Sequence, residues 1–264
     1  MRALLIAFAA AVAAVVLSAA AILVVVFPDR IMAYLPGWAQ PWVAPDGPQV
    51  VLEIEPEGVA LGRAVEESIG IIKRRLDELA MRAVVEKQEG DRILVQLSRS
   101  ADLTRSIEIL TRRGRLELRL VDNTMNAGEA LVGRPPPGSE IVYEGPDKLL
   151  PVLVEKRVLL SGRDLVEARA AFDARTKEPV VNFRFNASGT RTFGQVTQEN
   201  VGRAIAIIFD GAVLSAPVIR TPIPGGTGQI SANFTVRDAA DMAVLLRAGE
   251  LPGRLRVIEQ RAAQ

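Results

Sequence analysis

The chain has no cysteine and no histidine, and its 32 Lys and Arg are almost balanced by 31 Asp and Glu over 264 residues, a net charge of +1. Without cysteine there is no disulfide staple, so an oxidising compartment is permitted but not required. Without histidine, the usual general base near neutral pH and the commonest zinc ligand are both missing. A Ser-His-Asp or Cys-His hydrolase is therefore excluded. Carboxylate, Lys, Tyr or Ser-Lys chemistry would need a specific constellation, and none stands out. No catalytic residue, cofactor or metal is assigned, and the chain reads as a non-enzyme. It also lacks the dense basic stripe that neutralises phosphates, which argues against a nucleic-acid partner. The nearest basic groups, Lys73-Arg74-Arg75 and Arg112-Arg113, fall on expected helices and read as solvated polar faces.

What the chain does have is a long apolar beginning. Residues 3–27 are apolar or small, relieved only by Ser18. At ~1.5 Å per helical residue, such a run crosses a hydrocarbon core of ~30 Å with tilt to spare. A cleaved signal peptide would end soon after its small residues. Here Ala19-Ala20-Ala21 are followed by further apolar residues to Phe27, so an uncleaved anchor over residues 1–30 is predicted. Arg2 on one flank is nearly offset by Arg30 on the other, so charge alone sets no firm orientation. Residues 31–49, with Trp38, Trp42 and a cluster of prolines, read as a juxtamembrane linker with interfacial tryptophans.

The rest reads as α+β. A strand is expected at residues 50–55. A helix follows with Val65, Ile69, Ile72, Leu76 and Leu79 on one stripe. Strands at residues 83–86 and 92–97 flank a turn at Glu89-Gly90-Asp91. A second helix carries Leu103, Ile107 and Leu110, and a strand at residues 115–120 closes the set by strict alternation. This βαββαβ order over residues 50–122 predicts a ferredoxin-like base. Residues 123–157, punctuated by Gly and Pro, read as an irregular connector with at most a short strand or two. A second α+β unit spans residues 158–250. It has a strand at Val181, Phe183 and Phe185, a helix over residues 188–200, and a hairpin around Asp210-Gly211. A strand over residues 229–234 and a last helix opened by a Thr235–Asp238 capping box complete it. A strand at residues 254–258 ends the chain within the stretch 251–264.

Most apparent motifs have plain explanations. Gly225, Gly226 and Gly228 lead into a strand and lack a Gly-Lys-Ser/Thr ending, so they read as a mobile loop of the second unit. Pro135, Pro136 and Pro137 read as a stiff spacer. Glu66-Glu67 and Asp77-Glu78 are adjacent pairs that point apart around a helix. Asn186 and Asn233 stand in glycosylation sequons but read as strand and helix punctuation.

Three blocks carry a family resemblance: VVNFRFNASGTRTFGQVTQENVGR, the hairpin IIFDGAVLSAPVI, and GQISANFT running into DAADMAVLLRAGELP. With VEESIGIIKRRLDEL, DRILVQL, GRPPPGSEI and SGRDLVEARAAFDARTKEPVVNFRF, they resemble the first periplasmic domain of the SecD family. The resemblance implies a base with an inserted, movable head that holds emerging polypeptide, and a last strand that returns to the base. The stretch FPDRIMAYLPGW resembles the family's exit from its first membrane helix. That implies a cytoplasmic N-terminus, a single span in a bacterial inner membrane and a periplasmic bulk. The chain departs from the family pattern in three places. The family's glycine-rich motif after the first span is replaced by residues 45–52. Its exit from the base is replaced by residues 259–264. Its later membrane helices, with their proton-coupling carboxylate, have no counterpart.

The expected function is a membrane-anchored module of protein export that binds translocating polypeptide or Sec partners (SecF, YajC, a SecYEG-like channel) without turnover. The alternative is a structural or regulatory paralogue that docks on a translocase or envelope assembly factor and touches no substrate. Gly249, Pro252 and Gly253 are the candidate hinge between the lobes.

Overall fold

The structure is a computed structural model that describes residues 46–99, 101–145 and 150–262. The expected anchor, Trp38 and Trp42 lie outside the described residues. Among the described residues, no helix is long and apolar enough to cross a membrane.

The base forms as its alternation dictates. Strands β1 (Gln49–Pro56), β2 (Ala83–Gln88) and β3 (Arg92–Leu97) join the chain's last strand, β13 (Gly253–Arg261), in an antiparallel sheet of order β13-β1-β3-β2. Val50, Leu52, Ile54, Ile93, Val95 and Leu97 point to one face and meet helices α1 (Leu61–Glu78) and α2 (Leu103–Thr111) in one core. The Asp102 side chain caps α2 by accepting from the Arg105 amide.

One strand does not go where its pattern suggested. β4 (Leu116–Leu120) leaves the base sheet, and β13 takes the fourth place beside β1. β4 instead pairs with β10 (Ile205–Phe209) and β7 (Leu160–Ser161). Alternation reports that a strand has two unlike faces, not which sheet receives it. Here the polar face is itself covered: Glu117 is 5% exposed and lies between Arg115 and Arg119.

The stretch read as an irregular connector is also ordered. It forms helix α3 (Ala127–Val132) and a hairpin of β5 (Ser139–Glu144) and β6 (Leu150–Glu155). With β11 (Ala212–Ser215) they complete a six-stranded sheet of order β6-β5-β11-β10-β4-β7, in which only the β11–β5 pairing is parallel. A bridge between Val121 and Val154, with the Asp122 amide donating to the Leu153 carbonyl, brings β6 back to the end of β4. The sheet therefore curls around a small second core of Val154, Ala206, Ile208 and Val213. β10 is buried on both faces, hence its unbroken apolar run.

A three-stranded sheet completes the head: β12 (Thr227–Ile230), β9 (Pro179–Phe185) and β8 (Leu165–Phe172). Helices α4 (Ala187–Glu199) and α5 (Val236–Ala248) pack with it, and the largest core lies between the two head sheets and these helices. The Thr235–Asp238 capping box is present and reciprocal. Asn186, at the strand-to-helix junction, is the α4 N-cap, accepting from the Gly189 amide, so that α4 starts one residue ahead of the expected residue 188. Asp210 and Gly211 take φ of 50° and 81°, the left-handed pair that a tight hairpin needs. β11 ends at Ser215, short of the strand over residues 212–219 that the hairpin pattern predicts, after a register shift, and β12 begins and ends earlier than residues 229–234.

Candidate functional site

Between the two head sheets the core is incompletely filled. A pocket of about 340 Å³ opens there, lined chiefly by Leu118, Phe183, Phe193, Ile207, Ile219 and Ile223. Phe185 meets Phe193 edge-on, with ring centroids 5.3 Å apart, and Phe183 at 5.0 Å. The Thr197 hydroxyl, which also lines the pocket, donates to the Phe193 carbonyl at 2.7 Å and accepts from the Ile223 amide at 2.9 Å. With that polar group satisfied, the pocket suits an apolar side chain. Its rim includes Val218, 55% exposed, and Gln229 on β12, which pairs with β9 on one side.

Two larger hollows are charged and open. One, of about 530 Å³, runs along β4 from base to head. Glu57, Arg113, Arg115, Glu117, Arg119 and Glu140 line it with Asp210 and Arg254, and through Glu250 the first six form one alternating chain of ion pairs. Hydrogen bonding and charge from Arg113 hold the Glu57 carboxyl below its ordinary range. The other, about 700 Å³, surrounds Asp122 and Arg203. The Ser139 and Thr124 hydroxyls and the Thr124 amide donate to Asp122, so its pKa is lowered. The paired groups among them satisfy one another.

The glycines expected to form a mobile loop are closely packed. Gly228 lies in β12 opposite Phe183, and a Cβ there would overlap that ring. Gly226 has φ of +63°, accepts from the Phe185 amide at 2.9 Å, and has no room for a Cβ beside Thr190. Gly225 alone is unencumbered, its nearest neighbour being Thr227 Oγ1 at 3.9 Å.

The hinge candidates divide similarly. Gly253 is the first residue of β13, pressed against the Glu55 carbonyl, and belongs to the base sheet. The Pro252 carbonyl accepts from the Glu57 amide at 2.9 Å. Gly249 ends α5 with φ of +93°, and its carbonyl accepts from Arg75 at 3.2 Å. The joint is thus well bonded on the base side. Arg75, read as part of a solvated face, is wholly buried. The cue was helical phase: Arg75 shares the buried face of α1 with Ala64, Ser68 and Ile71.

Known proteins match both halves. A family model described as SecDF, P1 head subdomain, matches residues 139–253. A second, Protein translocase subunit SecDF, P1 domain, N-terminal, matches residues 65–123. A solved structure titled "Structure and function of a membrane component SecDF that enhances protein export" is 31% identical, with a TM-score of 0.64. The match covers 81% of this chain and 99% of that one. The chain belongs to the SecD family. The SecD protein translocase subunit of Rickettsia bellii is 41% identical over 203 residues, covering 76% of this chain and 39% of the relative. That of Acetobacter pasteurianus is 43% identical over 202 residues, covering 75% and 38%. The chain therefore spans about two fifths of the length of these SecD relatives. A SecDF crystal structure in a super-membrane-facing form gives a TM-score of 0.67 at 30% identity, covering 88% of this chain and 34% of that one. The described residues are thus a SecD first periplasmic domain, α+β in class, and the matched head begins at β5.

Proposed function

We propose that this chain serves protein export as a periplasmic SecD-type module that holds a segment of translocating polypeptide in its head without chemical turnover. The observation that carries the reading is the apolar pocket between the head sheets, flanked by β12. An unfolded chain offers apolar side chains at close intervals. A pocket lined chiefly by apolar side chains accepts several of them without selecting a sequence. The export role also rests on what the relatives' names say of them, a translocase subunit and a membrane component that enhances export.

In the same reading, residues 3–27 anchor the chain in the inner membrane with the bulk outside, and Sec subunits are its partners. Of the proposed hinge residues, Gly249 and Pro252 lie between α5 and β13, and the head turns on the base there.

The test is a photo-crosslinking side chain placed at Val218 or Gln229 in the full chain, in membranes carrying an arrested export intermediate. Crosslinks to the intermediate are expected from both positions and not from Lys87 on the base. Crosslinks confined to Sec subunits would overturn polypeptide holding and favour the docking alternative.

A further inference from the structure

Arg75 is completely buried on α1, and all five of its acceptors are main-chain carbonyls. Nη1 donates to Ile109 at 2.7 Å, Leu110 at 3.1 Å and Arg112 at 2.5 Å. Nη2 donates to Arg113 at 3.1 Å and Gly249 at 3.2 Å. The first four acceptors lie at the C-terminal end of α2, where the chain leaves the base. The fifth follows the C-terminus of α5, where it returns. Both helix ends present carbonyls without intrahelical partners and the negative pole of a helix dipole, so one cation serves both.

The surroundings are fitted to this contact. Gly114 takes φ of +78°, and a Cβ there would stand 3.0 Å from Arg75 Nη2 and 3.3 Å from the Gly249 carbonyl. The neighbouring Arg74 donates to the Ala248 carbonyl at 3.0 Å, so consecutive arginines of α1 cap the end of α5. Burial pushes the Arg75 pKa down to about 10, which still leaves it charged at neutral pH.

We infer that Arg75 is a positioning residue that fixes the angle between base and head by gripping both chain crossings in one guanidinium fork. Four acceptors at the exit and one at the return make the grip unequal. Of the Arg75 bonds, turning the head about residues 249–252 breaks only the one to Gly249, along with the Arg74–Ala248, Arg105–Asp241 and Arg247–Glu78 contacts to α5, while the end of α2 stays capped. Arg75 therefore stays with the base, and the return crossing is the side that releases. This rests on the two-lobe reading above, but not on polypeptide binding.

Because the chain has no cysteine, two introduced cysteines are its only thiol labelling sites. Spin labels at Glu86→Cys and Arg191→Cys, both exposed, report the base–head distance in the full chain. Glu86→Cys with Glu108→Cys reports the base alone, and Arg191→Cys with Arg237→Cys the head alone. Arg75→Lys keeps the charge, but its compact ammonium cannot span both helix ends. It is expected to roughly double the width of the base–head distance distribution, or add a second distance, with both internal distances unchanged. Arg75→Met orphans every acceptor and is expected to go further while lowering the melting temperature; Arg75→Lys decides the matter if that variant does not fold. An unchanged base–head distribution in Arg75→Lys, or equal broadening within a lobe, would overturn the inference. No client is present, so the outcome is independent of the crosslinking result.

Discussion

Gly228 of β12 lies so close to the Phe183 ring of β9 that no β-carbon fits between them. The same ring lines the head pocket, so one contact couples strand pairing to pocket shape. Gly228→Ala must push the ring into the pocket or part the strands. Overpacking of this kind costs about 1–3 kcal/mol, and the pocket should lose capacity for client. Gly225→Ala, with its open surroundings, is the control and should be near neutral. Denaturant midpoints and client crosslinking check both; a Gly228→Ala protein matching wild type in each would refute the coupling.

Arg105 on α2 meets Asp241 on α5 through two contacts, Nη2–Oδ1 at 2.5 Å and Nε–Oδ2 at 3.3 Å. The pair joins base to head and is partly exposed, 33% and 19% for the two side chains. A double-mutant cycle should give about 0.5–1 kcal/mol, falling in high salt. A coupling that ignores salt would mean the pair acts through packing instead.

The elements were more legible than their assembly. β1, β3, β9 and β10 declared themselves by alternation or an unbroken apolar run, and α5 by its capping box, because those signals are local. β8 left little trace: LVEARAAF is rich in Ala with Glu and Arg, a helix-favouring composition, and only Ala168 is fully buried. The β5–β6 hairpin was hidden among glycines and prolines because its strands are largely half-buried. Arg75 was missed because residue type was weighed above helical phase. The pocket could not be read at all. Its walls come from β4, β9, α4, β10 and the loop before β12, and a gap between them depends on how the sheets are spaced.

Asp122 makes a sharp acid-stability prediction. Its folded pKa is depressed by Ser139 and Thr124, so its contribution to stability is present above the unfolded value, about 3.9. That contribution disappears as pH falls through the folded value. Asp122→Asn should therefore be less stable than wild type at neutral pH, and the difference should shrink steadily under strongly acid conditions. Melting temperatures across that range check this; a difference independent of pH would assign the loss to geometry and not to charge.

Glu117 offers the strictest test of how β4 came to sit in the head. Its carboxylate, 5% exposed, accepts from Arg115 and Arg119, each at 2.5 Å. Arg119 is itself 12% exposed, has an unpartnered Nε, and makes its remaining ion pair with Glu140. Glu117→Leu restores apolar character to that face but strands a largely buried guanidinium. Breaking one side of a fully buried pair costs about 3–5 kcal/mol; the partly exposed Arg115 and Glu140 should reduce this to about 1–3 kcal/mol. Replacing Arg119 as well, in Glu117→Leu with Arg119→Leu, removes the orphaned charge and should recover most of the loss, because Ile208 also lines that hollow. Denaturant unfolding of the two single variants and the double variant decides it. A double variant no more stable than the worse single one would show that the pair sets strand placement as well as charge balance.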